Sequence, residues 1–231
     1  MRTSDTDTLI RELAGRALRV QPLARPAMRV ATWLAIAVPS ALLVMVMMPG
    51  RRDWVSRLLL PRVISEEAFA LSIGILAAVA AFASVVPGYN RKVLLLPLVP
   101  LVFWLGGLGQ SNVRDWLQLT SPGFSMRSEW VCLPATMMAG AVPAIAMAVM
   151  LRRGAPLTPR LSALLGGLAA AGLGNLGVCV THHAYGNVLV LAWHVGIVVT
   201  LTMMFGTAGR RVLNWQSLLE QTRRAATGVT R

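Results

Sequence analysis

The sequence predicts an all-α integral membrane protein with six transmembrane helices and both termini cytoplasmic. Three observations carry that reading. The chain of 231 residues is 55% hydrophobic and only 13% charged, where a soluble domain is nearer a quarter charged. Six apolar stretches approach the roughly 20 residues that cross a hydrocarbon core of about 30 Å at 1.5 Å per residue. They are residues 30–48, 68–86, 93–109, 131–151, 161–180 and 188–208, and none contains Lys, Arg, Asp or Glu. The net charge of +13 resides mostly in the gaps between these stretches. That placement is the signature of membrane topology rather than of a basic stripe for nucleic acid.

Each span follows from its residues. The first begins about thirty residues in and ends "MMPGRRDW" without a small-residue cleavage site, so it reads as a retained anchor rather than a signal peptide. The third carries Pro97 and Pro100, for which a kink rather than a break is expected. The fifth holds "GGLAAAGLGNLG", with Gly167/Ala171 and Ala170/Gly174 four apart. Small residues at that spacing let helices approach closely in lipid, which places this helix in the bundle interior. Asn175 is then expected to hydrogen-bond to a neighbouring helix. With both termini inside, the inner segments hold sixteen Lys and Arg and the outer ones six, which sets the orientation. The organisation is a cytoplasmic head (1–28), a six-helix domain (29–208) and a basic cytoplasmic tail (209–231).

The head is the most informative soluble segment. In "TDTLIRELAGRALRV", residues 6–20, Leu9, Ile10, Leu13, Ala14, Ala17 and Val20 share one helical face and Arg11, Glu12, Arg16 and Arg19 the other. Thr6 or Asp7 supplies a cap, Gln21-Pro22 ends the helix, and Pro26 belongs to the linker that follows. A lone helix of this length is marginal in water and needs its apolar face covered. The inner leaflet could cover it, with Arg16, Arg19, Arg25 and Arg29 on lipid phosphates. A groove on a cytoplasmic protein could equally do so. In the tail, Arg210 and Arg211 precede Val212, Trp215, Leu218 and Leu219, which suit a short interfacial anchor.

Several motifs carry less than their letters suggest. "GLGNLG" at 172–177 matches a dinucleotide fingerprint, but it lies in an apolar helix with no preceding strand. The twelve methionines fill gaps and face lipid more readily than they bind copper. The nine acidic residues are expected in tails and loop edges, so no constellation for catalysis emerges and the chain reads as a non-enzyme. The two cysteines are different. Cys132 starts the fourth span and Cys179 ends the fifth, so the topology sets both at the outer rim, with His182 and His183 beside them. Thiol with imidazole suits a soft metal; two thiols can instead pair, and cysteines can simply pack.

The stretch "MLRRGAPLTPR" and those that continue it to Gly174 resemble the NrsF family of membrane-embedded anti-sigma factors, as do "EWVCLP" (129–134), "LAWHVG" (191–196), "GRRVLNW" (209–215) and the head "LIRELAGRALRVQPLARP". The resemblance implies a bacterial inner-membrane protein with no obligatory cofactor. It implies that the head binds an extracytoplasmic-function sigma factor, which puts Leu9, Ile10, Leu13, Ala17 and Val20 on that partner. Besides the lipid bilayer, that sigma factor is the partner, with no direct contact to nucleic acid. It further implies that Cys132 and Cys179 sense heavy-metal or oxidative stress, a heavy-metal ion being the signal rather than a cofactor. His182 and His183 stand where the family pattern is acidic, so metal preference can differ here. A small polytopic transporter or channel is the alternative that the residues alone leave open.

Overall fold

The computed structural model describes residues 3–15, 23–47, 59–117, 126–154 and 158–176, and short helical pieces between 195 and 207. Among the described residues there is no strand. Helix α1 spans Thr3–Gly15, α2 Pro26–Met47, α3 Pro61–Ala83, α4 Leu98–Leu117, α5 Met126–Arg152 and α6 Pro159–Gly174, with a 3₁₀ turn at Arg91–Leu95 before α4.

Proline explains most differences from the sequence reading. Pro26, expected in the linker, is the first residue of α2, and Pro61 and Pro159 open α3 and α6 in the same way. A first-turn N–H has no helical acceptor, so a residue lacking one costs nothing there and its fixed φ favours the start. Helix α3 consequently begins seven residues before the predicted span and takes in Glu66 and Glu67, which were expected at a loop edge. The proline-bearing third stretch is broken rather than kinked. Its 3₁₀ turn ends at Leu95, Leu96-Pro97 form a turn, and α4 restarts at Leu98 with Pro100 in its first turn. Helix α1 starts three residues ahead of the predicted Thr6 cap, within another run of cap-forming residues, Thr3-Ser4-Asp5.

Among the described residues two helices are long and apolar enough to cross a membrane, Pro26–Met47 and the Val63–Ala83 part of α3; Met137–Arg152 of α5 is a shorter apolar stretch. The third predicted stretch is interrupted before α4, and α6 has 16 residues, about 24 Å of helix against a core of about 30 Å; the sixth predicted stretch falls largely outside the described residues. Gly174 rather than Val180 is its last residue, and Asn175 caps it through its backbone N–H on the Ala171 and Leu173 carbonyls.

Helix α6 is central, as its small residues predict. It packs on α3 and α5 and touches α2, while α2 packs on α5 and α3, and α4 on α3. Gly172 lies so close to α3 that a Cβ there would sit 2.9 Å from the Gly74 nitrogen and 3.0 Å from the Ala70 oxygen. Gly166 accommodates Met147 in the same manner, and Gly206 of the last described piece accommodates Leu164. Around this axis Trp33, Phe82, Met147, Leu151 and Leu173 are fully buried. The outward side is different in kind: Leu42, Leu43, Val99, Val102, Phe103, Ile145 and Val149 are all exposed. Monomeric soluble proteins rarely leave so much apolar surface in water.

Candidate functional site

The beginnings of α2 and α6 and the ends of α3 and α5 meet at one end of the bundle. Arg29, one turn into α2, is 6% exposed. Its Nη2 donates to the Met150 carbonyl of α5, and its guanidinium carbon lies 4.4 Å from the centre of the Phe82 ring of α3. Among the described residues its buried Nη1 has no partner. One turn further along the same face, Trp33 donates from Nε1 to the Pro143 carbonyl at 2.9 Å. The Ser84 hydroxyl after α3 meets the Ser162 hydroxyl of α6 at 2.7 Å, and Ser162 also donates to the Thr158 carbonyl. A Cβ on Gly154, after α5, would lie 2.3 Å from Val85 Cγ1 and 3.5 Å from Arg29 Nη1. Glycine at 154 lets the Arg153-Gly154 turn lie against Val85, just beyond α3.

Sequence reasoning missed this junction, because Arg29 was one of six positive charges attributed to the head and linker. The available signal was its spacing. Arg29 precedes Trp33 by four residues and follows Pro26 by three, which puts a cation and an indole on one face of a helix that proline starts.

The head is the opposite case. Every residue of α1 whose side chain is described is exposed, including Leu9 at 53% and Ile10 at 58%. Leu13 lies on the same helix, with its side chain outside the described set, and Ala17 and Val20 fall outside the described residues. The predicted face is therefore present as far as Gly15, and its two largest described members have not been folded into the bundle.

The predicted rim is described in part. Cys132 lies in the second turn of α5, at the end of that helix away from Met150, with its side chain outside the described set. Cys179, His182 and His183 fall outside the described residues. Among the described residues no group of three metal-ligating side chains occurs.

A second polar feature lies deeper. A cavity of about 10 Å³ is walled by Ala70, Ile73, Leu101, Trp104, Leu168, Gly172, Asn175 and Val198. Among the described residues Trp104 Nε1 and Asn175 Nδ2 are buried with no partner, and so is the hydroxyl of Thr202, four residues after Val198. Among the described residues Asn175 Nδ2 finds no partner on a neighbouring helix, and α3 contributes apolar Ala70 and Ile73 to the same cavity wall.

These features define a class: among the described residues, an all-helical protein with two helices long and apolar enough to cross a membrane, an exposed amphipathic head and no assembled catalytic centre. The chain belongs to the NrsF family, described as negative regulator of sigma F, whose model matches residues 13–215. It is thus a negative regulator acting on a sigma factor, within a family of regulators rather than of enzymes. The match begins inside α1, so Leu9 and Ile10 precede it. No curated protein and no solved structure matches the chain.

Proposed function

We propose that the chain is a bacterial inner-membrane anti-sigma factor whose amino-terminal head sequesters an extracytoplasmic-function sigma factor. One observation carries this reading: in a chain of a sigma-regulating family, Leu9 and Ile10 of α1 are exposed, while the apolar residues of the α2–α3–α5–α6 core are buried. An exposed apolar stripe on a short helix is a docking element, and i, i+3, i+4, i+7 anchors in a groove are how such helices bind. Leu9, Ile10, Leu13, Ala17 and Val20 contact the sigma factor and block its surface for RNA polymerase. The membrane domain has six spans with both termini cytoplasmic, supported by the sixteen-to-six excess of inner Lys and Arg and by the apolar outer face of the bundle.

The sensor in this reading is the pair Cys132 and Cys179 at the outer rim, with His182 and His183 as helpers. A heavy-metal ion or an oxidant acting on the thiols shifts α5 and α6 and releases the sigma factor. Moving such an equilibrium from 1:99 to 99:1 takes about 5.5 kcal/mol of differential binding. Thiolate metal sites reach about 10–16 kcal/mol, so a metal is an energetically sufficient signal.

Co-purification from membranes tests the head. The full-length protein retains a sigma factor, and Leu13→Asp or Ile10→Asp releases it while the protein stays in the membrane. A wild-type protein that retains no sigma factor, or an Ile10→Asp variant that retains it fully, contradicts the reading. For the sensor, Cys132→Ser and Cys179→Ser abolish induction of target transcription by cadmium or dichromate; an undiminished response removes the thiols from the mechanism.

A further inference from the structure

We propose that Arg29 is the positioning residue that ties the head to the sensing helix, so that a movement of α5 is delivered to the linker carrying the sigma-binding helix. This rests on the anti-sigma reading above and names the part of the molecule that regulates it.

The contacts on Arg29 are all to elements other than its own helix. It sits between the linker at residues 23–25 and the body of α2, at the one point where the head enters the bundle. Its Nη2 holds the carbonyl of Met150, two residues before α5 ends, and its face lies on Phe82, the last residue but one of α3. Trp33, on the same face of α2, holds the Pro143 carbonyl of α5. The first two turns of α2 thus grip the last three turns of α5 at two carbonyls seven residues apart. Pro134 and Pro143 lie between Cys132 and Met150, a separation of about 27 Å along the helix. Prolines inside a helix are where it bends, and Trp33 clasps the second of them.

The grip on Arg29 can be exchanged. Among the described residues a neutral carbonyl and a ring hold Arg29, no carboxylate pairs with it, and Nη1 has no partner. A buried cation that leaves a donor unused favours any rearrangement that supplies an acceptor. Gly154 stands beside Nη1, so a small advance of the Arg153-Gly154 turn offers a backbone carbonyl to it. Two arrangements of one arginine, with Met150 alone or with the turn as well, are what a switch needs: a discrete element that both sites can bias.

Hydrogen exchange in lipid nanodiscs tests the coupling without any inducer. Arg29→Met keeps much of the volume and removes the donors and charge. It is expected to speed amide exchange by at least about tenfold in residues 30–34 and 147–152 together, leaving the middle of α3 unchanged. Arg29→Lys, which keeps a cation over the ring and a donor for the carbonyl, restores most of the protection. Exchange that stays slow in 147–152 when 30–34 loosens, or in both, overturns the proposal. If Arg29→Met does not accumulate in membranes, Phe82→Leu is read instead: a rise of about threefold in both segments supports the coupling, and a rise in neither overturns it. In cells, Arg29→Met keeps basal repression, because the head itself is intact, and loses induction by at least about fivefold, with Arg29→Lys retaining at least half of the response. Wild-type induction in Arg29→Met overturns the proposal. A head that captures no sigma factor, or a wild type that no signal induces, defeats the anti-sigma reading, and the exchange measurements then decide the coupling by themselves.

Discussion

Two buried tryptophans mark two differently built halves of the bundle. Trp33 lies among α2, α3 and α5, and its indole N–H donates to the Pro143 carbonyl. Trp104 lies between α3, α4 and α6 beside a cavity, and its indole N–H has no partner. The first half is closed by polar contacts between helix ends, those of Arg29, Trp33, Ser84 and Ser162. The second has unpartnered donors on Trp104, Asn175 and Thr202. In hydrocarbon, where apolar burial gives little drive for helix association, close packing and polar contacts decide which interfaces hold. The first half is therefore held by specific polar contacts, with Arg29 Nη1 its one donor left open among the described residues, and the α4 side is held by close packing.

Substitutions sharpen this contrast. The largest effect is expected for Trp33→Ala, about 3 kcal/mol from the cavity it leaves, the low end for such changes because lipid weakens the transfer contribution. Gly172→Leu is of similar size, since its side chain strikes the α3 backbone at Ala70 and Gly74. By contrast Gly107→Ala meets nothing within 4 Å and is expected to be near neutral. Thermal unfolding in detergent micelles, read by helicity, ranks these variants. Smaller are Trp33→Phe, which loses the buried bond to Pro143, and Ser84→Ala, which loses the part-buried contacts to the Ala81 carbonyl and the Ser162 hydroxyl, each about 1 kcal/mol. Smallest are Trp104→Phe and Asn175→Leu. Neither loses a bond, so each is neutral or slightly stabilising by the same melts. A Trp104→Phe loss as large as that of Trp33→Phe would erase the distinction between the two halves.

The sequence made the helical class and the central position of α6 legible, because apolar runs and small residues four apart express packing directly. It misplaced helix ends. A hydropathy boundary falls at the first charge, whereas backbone hydrogen bonding continues through Glu66 and Glu67 to Pro61. It also set Pro97 inside a span, where the fold uses it to separate a 3₁₀ turn from α4. Leu9 and Ile10 were found because periodicity identifies a face whatever covers it. Arg29 was missed because a charge next to a span reads as a topological marker, and its contacts with Met150 and Phe82, respectively 121 and 53 residues away, have no local signature. Of the rim residues, Cys132 is placed on the far part of α5 from Arg29, while Cys179, His182 and His183 fall outside the described residues.

The measurement that bears most directly on the central claim is the binding of the fluorescently labelled head, residues 1–28, to a purified extracytoplasmic-function sigma factor, with and without anionic lipid vesicles. The account predicts saturable binding to the sigma factor that persists when vesicles are present and is lost with Ile10→Asp or Leu13→Asp. A head that binds only the vesicles, and leaves the sigma factor free, would contradict it.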